Sequence, residues 1–340
     1  MAAQGDAMYL LVAIPCFNDA ETIRGVISRI PKEMAGVSRI SVLVVDDGSE
    51  DNCRAEAEAA GALVISHGQN LGVGAAFHTA LDYAVSARSD ILVNIDADGQ
   101  FMSEDIPKLI APIIAGEAQF VTASRFIDQD SLPEMPWIKL QGNRLMSALI
   151  SRLTGSKFHD VSCGFRAYSR EAMLRLNLHG RFTYTQESFL DLSYKNVTIR
   201  ELPVAVKYFA DRKSRVASSI PRYAIRTLFI IFRIYRDYYP IRFFWGLASL
   251  FFLTGTVTGS ILLLHYLRYG AFSGQIWAGF TGGFLIAIGL LLVVLGIVAD
   301  MLDRGRRNQE RILYLLKRTE ARDLSELDGE TVLSEDRIVV

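Results

Sequence analysis

Short apolar runs alternate with longer amphipathic stretches from residue 8 to about residue 210. The runs 9–14, 40–45, 63–65, 91–95 and 120–122 are rich in Val, Ile and Leu, which predicts strands. The segments near 20–34, 51–60, 72–87 and 103–115 have helical spacing. Strands that are apolar at every position, not at alternate ones, need cover on both faces. The pattern therefore implies an α/β domain with a mostly parallel sheet flanked by helices. In such sheets ligands bind beyond the carboxyl ends of the strands. Two strands end directly in acids, Asp46-Asp47 after Val45 and Asp96-Ala97-Asp98 after Ile95.

The last third differs in kind. Residues 243–267 and 271–299 contain no Asp, Glu, Lys or Arg, and each run exceeds the roughly 20 residues that span a hydrocarbon core. Buried helices of a soluble core are the alternative reading. Eight basic residues between Arg212 and Arg242 precede the first run, and Arg304, Arg306, Arg307 and Arg311 follow the second. The segment between the runs holds only Arg268. This asymmetry implies a hairpin with both flanks, and so the N-terminal domain and both termini, on the cytoplasmic side. Between Pro221 and Tyr239, arginines interleave with Leu228, Phe229, Ile231, Phe232 and Ile234, as in a helix lying among lipid headgroups, or in a plain linker helix. The expected organisation is a domain over 1–210, basic amphipathic helices over 211–240, two transmembrane helices within 241–302 (about 243–267 and 275–299), and a cytoplasmic tail over 303–340. Glycine pairs at Gly255 and Gly259, and at Gly279 and Gly283, would let these helices or neighbouring subunits of a homo-oligomer approach closely.

The bulk composition changes this picture little. Half of the 340 residues are hydrophobic and the formal net charge is −1, so nothing suggests a nucleic-acid partner. Cys16, Cys53 and Cys163 are distant from one another and form no Cys-x-x-Cys pair, which argues against a disulfide framework or structural zinc. The five histidines lack zinc-site spacing. Residues 1–7 have no basic region, so no secretory signal is expected.

Candidate chemistry concentrates in Asn94-Ile95-Asp96-Ala97-Asp98-Gly99-Gln100. Two carboxylates one residue apart at a strand end can face one hard cation such as Mg2+ or Mn2+, which in turn binds a diphosphate. Acids at strand ends also commonly solvate a turn, so the motif needs context. That context is a series of blocks. Ile14-Pro15-Cys16-Phe17-Asn18-Asp19-Ala20-Glu21, Val45-Asp46-Asp47-Gly48-Ser49, Asn70-Leu71-Gly72-Val73-Gly74 and Asp96-Ala97-Asp98-Gly99-Gln100 occur in that order. Ser124-Arg125-Phe126, Gly142-Asn143-Arg144, Asp160-Val161-Ser162-Cys163-Gly164-Phe165-Arg166 and Ser214-Arg215-Val216 follow. Over nearly its whole length the chain resembles glycosyltransferase family 2, and more narrowly the polyprenyl-phosphate sugar synthases of the dolichol-phosphate mannose synthase type.

The resemblance implies a type A glycosyltransferase domain, a Rossmann-like sheet, that transfers a hexosyl group from GDP-mannose or UDP-glucose to a polyprenyl phosphate. It implies that Pro15, Phe17, Asp19 and Asp46 line the base and ribose, and that Asp96, Asp98 and Gln100 hold the metal. Arg125 and Arg144 would grip the lipid phosphate, and Arg212 and Arg215 would close over the diphosphate. Two positions depart from the family pattern: Phe17 stands for Tyr and Asp19 for Glu, which removes a hydroxyl and withdraws a carboxylate by one methylene. Physical chemistry points the same way. A phosphate monoester, with a second pKa near 6, is largely dianionic at neutral pH and needs no general base. The site must instead align two anions, a task suited to arginine forks. A processive polysaccharide synthase is the nearest rival, but the chain lacks the Gln-x-x-Arg-Trp motif that such proteins carry. A membrane protein that binds nucleotide-sugars without catalysis is the other. His159 and Glu187 are further candidates for the site, Glu187 equally as a helix cap.

Overall fold

A computed structural model of the chain describes residues 8–128, 137–178, 184–206, 225, 229, 231–233 and 235–327. Each of the five apolar runs forms a strand: β1 (Met8–Cys16), β2 (Val37–Asp46), β3 (Leu63–Ser66), β4 (Ile91–Asn94) and β5 (Phe120–Ser124). Two more, β6 (Arg166–Ser169) and β7 (Ile199–Pro203), complete one sheet in the order β3-β2-β1-β4-β6-β5-β7. Strands β3, β2, β1 and β4 run parallel, β6 is antiparallel to both its neighbours, and β7 is parallel to β5. The sheet is thus mostly parallel, as its apolar strands require.

Helices α1 (Ala20–Ser28), α2 (Cys53–Ala59), α3 (Val73–Ser86) and α4 (Ile106–Ile114) connect the first five strands. Helix α1 stops well short of residue 34. Pro31 disfavours helical backbone at the residue before it, and Met34 instead bridges to Val37. Helices α5 (Trp137–Thr154), α6 (Arg170–Arg175) and α7 (Thr185–Tyr194) belong to the second half of the domain. The core joins Leu10, Val12 and Ile14 of β1, Ile91 and Val93 of β4, and Phe165 and Ala167 around β6, all fully buried.

The chain divides into two compact units. One comprises the sequence up to Ile230 together with Leu313 onward, and the other comprises Ile231–Ile312. The second unit contains α8 (Pro240–Tyr269) and most of α9 (Ile276–Leu327), both long and apolar enough to cross a bilayer. They meet through glycine. A Cβ on Gly282 would lie 2.8 Å from the Gly255 carbonyl oxygen and 2.8 Å from the Gly259 nitrogen. Farther along the same seam Phe252 packs on Gly289, and Phe244 with Trp245 on Gly296. Of the expected glycine pairs, Gly255 and Gly259 sit at this crossing and Gly279 meets Leu262, while Gly283 faces open space.

The apolar run of α9 ends at Asp300, but the helix does not. Ion pairs at three- and four-residue spacing, Arg304 with Asp300, Arg306 with Asp303 and Glu310, and Arg307 with Asp303, carry it on to Leu327. Within the first unit its later part touches the α/β domain. The Tyr314 hydroxyl lies 3.1 Å from Glu171 Oε2, and Lys317 Nζ lies 3.4 Å from Asn177 Oδ1. The stretch 303–327 is therefore helical, where a tail is the expectation from sequence.

Candidate active site

The loops after β1 and β2 clasp each other. Asn18, in the left-handed region at φ 53°, donates its backbone N–H to Ser49 Oγ (3.0 Å) and accepts from Glu50 N with Oδ1 (2.8 Å). Asp46 ends β2 beside Cys16. Its Oδ1 accepts from Ser49 N (3.0 Å) and its Oδ2 from Ser66 Oγ (3.2 Å). Pro15, Phe17 and Asp19 follow at the same end of the sheet, all half-buried. Asp47 has a separate task. It accepts from Leu71 N (3.0 Å) and Gly72 N (2.8 Å) and meets His67 Nδ1 at 2.8 Å, which fastens the glycine-containing start of α3. Gly48 makes room for this, since a Cβ there would fall 2.6 Å from the Gln69 carbonyl carbon and its φ is +73°.

Asp96 and Asp98 leave the end of β4 on the next turn. Asp98 Oδ1 accepts from Gln100 N (3.0 Å), closing an Asx turn around Gly99, and Thr22 Oγ1 donates to Ala97 O (2.8 Å), pinning the turn to α1. Asp96 leans against Gly164, where a Cβ would lie 2.6 Å and 2.8 Å from its two carboxylate oxygens. Glycine is the residue that admits this acid. Burial, and next the charge of Asp98, push the Asp96 carboxyl up to about 7; Arg125 and Arg166 oppose the rise, and Asp19 adds to it. Four charged groups predicted for opposite sides of the reaction thus act on one carboxylate.

The donor set fits a hard divalent cation. Two carboxylates leave the same turn, one of them in a cradle that a Cβ would fill, and a cation would displace the proton that crowding favours on Asp96. Among the described residues no group of three acids, histidines or cysteines gathers, so a nucleotide's own oxygens would have to complete the shell.

The acceptor-side residues have three different fates. Arg125 is tied by Nε and Nη2 to Asp160 (2.6 and 2.9 Å), and by Nη2 to Ser162 Oγ (2.7 Å). Burial raises the Asp160 carboxyl, but Arg125 and two backbone N–H donors outweigh it and hold the group below its ordinary value. Arg144 is exposed on α5. Arg166 is fully buried and donates to the carbonyls of Cys163, Thr185 and Val161 and to Ser188 Oγ, so it braces the loops on either side and cannot reach a ligand. Glu201 on β7 accepts from the backbone N–H of both His159 and Asp160 and meets His159 Nδ1 at 2.9 Å. Glu187 lies inside the first turn of α7, buried, where the N-cap is Tyr184. Asn94 Nδ2 donates to Tyr184 Oη (2.6 Å) and to Gly164 O (3.1 Å). Asn94 Oδ1, Ser124 Oγ and Asn143 Nδ2 are buried without a hydrogen-bond partner, at or near the ends of β4 and β5 and on α5. Such orphans are uncommon in native proteins.

Arg212 and Arg215 lie outside the described residues, as do most of the basic segment 211–240 and residues 328–340. One expectation is corrected. Cys16 and Cys53, 37 positions apart, come together in a disulfide pair with their Cα atoms 7.2 Å from one another, because the end of β1 lies beside the start of α2. Spacing along the chain carries no sign of that. Cys163 remains a buried thiol, pushed up to about 12 by burial and by Asp160. Sequence reasoning also misses Asp47, Glu201 and Tyr184. Asp47 stands inside the Val45–Ser49 block, which gives it no role of its own, whereas Glu201 has no local signal.

Comparison with known proteins agrees with this fold. Residues 11–176 match the model for glycosyl transferase family 2. The chain is 31% identical to a UDP-N-acetylglucosamine–dolichyl-phosphate N-acetylglucosaminyltransferase of Methanococcus voltae, over 59% of this chain and 86% of that one. It is 25% identical to an undecaprenyl-phosphate 4-deoxy-4-formamido-L-arabinose transferase of Proteus mirabilis, over 90% and 94% of the two chains. Among solved structures, glucosyl-3-phosphoglycerate synthase from Mycobacterium tuberculosis in complex with Mn2+, UDP and its product superposes with a TM-score of 0.50. The identity there is 25%, covering 65% of this chain and 78% of that one. From the identity to the Methanococcus voltae enzyme over most of that enzyme's length, together with the model match across the α/β domain, the chain belongs to glycosyl transferase family 2.

Proposed function

We propose that the protein transfers a hexosyl group from a nucleotide-sugar to a polyprenyl phosphate, in one inverting displacement at the anomeric carbon. The observation that carries this reading is the lodging of Asp96, from the strand end that bears the metal motif, against Gly164 of the acceptor-side loop, where the charges of Asp98, Arg125, Arg166 and Asp19 also act on it. Relatives named for transfer to dolichyl and undecaprenyl phosphate support the acceptor class. The manganese and UDP bound by the solved neighbour support a divalent cation and a nucleotide donor.

In this reading Pro15 and Phe17 flank the base, and Asp19 and Asp46 face the ribose. Asp96, Asp98 and Gln100 hold Mg2+ or Mn2+. When bound, the cation neutralises charge on the departing nucleoside diphosphate. The lipid phosphate arrives as a dianion, so no side chain has to remove a proton from it. One phosphate oxygen forms the new bond to the anomeric carbon, and the electron pair of the broken bond leaves with the nucleoside diphosphate. Exposed Arg144 makes first contact with the lipid phosphate. Arg125, its fork engaged by Asp160, acts mainly as fixed positive charge that orders the acceptor loop. The family resemblance gives Arg212 and Arg215 the role of closing over the diphosphate. The helices α8 and α9 anchor the chain in the bilayer with their basic flanks toward the cytoplasm.

The test is a panel of radiolabelled nucleotide-sugars, GDP-mannose and UDP-glucose among them, offered with polyprenyl phosphate and Mn2+ to the full-length protein. The expected result is label in the extracted lipid from one donor, abolished by chelation. Label in a polymer would favour a processive synthase, and donor binding without transfer would favour a non-catalytic protein.

A further inference from the structure

Helix α5 keeps two unlike faces. Its inner face buries Ser147 and Ile150, and Ser147 Oγ donates to His159 O (3.0 Å). Its outer face carries Trp137, Gln141, Arg144, Leu145, Ala148 and Arg152, all exposed. These positions recur every three or four residues and cover an arc of roughly 100°. Trp137 and Leu145 are each 73% exposed, more than any other large apolar side chain described before residue 207. The helix contains no acidic residue, while Lys139, Arg144 and Arg152 are basic.

Isolated exposed apolar residues are ordinary on a soluble surface. Two of the largest on one arc of one acid-free helix, interleaved with arginine, form the pattern of a helix lying in a bilayer interface. There a tryptophan ring sits at headgroup depth, a leucine reaches the acyl boundary, and guanidinium groups meet lipid phosphates. We infer that the outer face of α5 docks on the headgroup layer of an anionic bilayer and so brings Arg144 to the plane in which a lipid phosphate lies. Two features select a bilayer over a second copy of the chain. The chain itself carries two helices apolar enough to cross a membrane, and a facing protein surface would have to supply acids to match an all-basic helix. The inference extends the proposed acceptor, but its first test does not depend on transfer.

The chain has three tryptophans, so Trp245→Phe with Trp277→Phe leaves Trp137 as the sole indole. This full-length variant is placed in nanodiscs of phosphatidylglycerol and phosphatidylcholine brominated near the headgroup. Docking predicts at least about twofold quenching of Trp137 emission relative to unbrominated lipid, together with shielding from iodide. Emission indifferent to bromine and fully open to iodide overturns the inference, whether or not the protein transfers sugar. A second variant keeps the question answerable if the first folds poorly. Leu145→Asp is expected to lower kcat/KM about tenfold for polyprenyl phosphate in bilayers, and to change it less than about twofold for a short, water-soluble prenyl phosphate. Equal losses on both acceptors, or efficient cross-linking of Leu145→Cys between two copies, contradict docking on lipid.

Discussion

The two halves of the sheet solve the same problem, holding an anion at a strand end, by different means. Around β1, β2 and β4 two acids shape their own turns, Asp46 taking Ser49 N and Asp98 taking Gln100 N, and longer ties such as Asn18 to Ser49 and Thr22 to Ala97 join those turns together. Around β5, β6 and β7 the ties are long: Arg125 reaches Asp160 and Asp160 N reaches Glu201 across 35 and 41 positions, and Asn94 at the end of β4 reaches across 70 to Gly164. The half assigned to the donor is thus built from local turns that longer ties join, and the half assigned to the acceptor from a network that exists only once the chain has folded. Three arginines that look alike in sequence end up paired, exposed and buried.

Breaking the network should cost more stability than breaking a motif. Arg125→Ala leaves Asp160 buried without its cation, and should destabilise the domain by about 3–5 kcal/mol in chemical denaturation. The pH dependence should also reverse. In the native protein Asp160 titrates below its ordinary value, so its contribution is complete above the unfolded pKa near 4 and is lost as pH falls through the lowered one. In the variant burial dominates, so stability should decline as pH rises past about 4. Breaking the motif acts on rate instead. Asp98→Asn should cost roughly 10²–10³ in kcat with an unchanged circular dichroism spectrum, and near-normal turnover would refute the metal assignment.

Proton and cation compete at Asp96, whose carboxyl stands near 7 without a cation. Mn2+ affinity measured by calorimetry should therefore fall by up to about tenfold per pH unit below 7 and level off above it. A flat profile would separate cation binding from Asp96. The smallest expected effect is that of Arg144→Ala, about tenfold in KM for the lipid phosphate with donor KM unchanged. A defect confined to donor binding would move Arg144 to the other half.

The same division explains what the amino-acid sequence discloses. Strands 91–95 and 120–122 are legible because they are apolar at all but one position each, and Asp96 and Asp98 because they follow one strand directly. Strand β6 is four residues long and opens on the buried Arg166, so it lacks an apolar signal, and β7 alternates too briefly to stand out. The resemblance places Arg125 beside the acceptor but says nothing of Asp160 taking up its fork. Asp300 and Arg304 end the apolar run of α9 in sequence, yet their pairing four residues apart sustains the helix. Gly283 completes the more visible glycine pair, but Gly282, one position earlier, faces α8.

The central claim is that Asp96 and Asp98 seat a divalent cation against a nucleoside diphosphate. Anomalous scattering from crystals soaked with Mn2+ and a nucleoside diphosphate tests it most directly. The account predicts a single strong peak about 2.0–2.3 Å from carboxylate oxygens of both acids, bridged to the diphosphate. A peak remote from both, with the diphosphate bound elsewhere on the sheet, would contradict it.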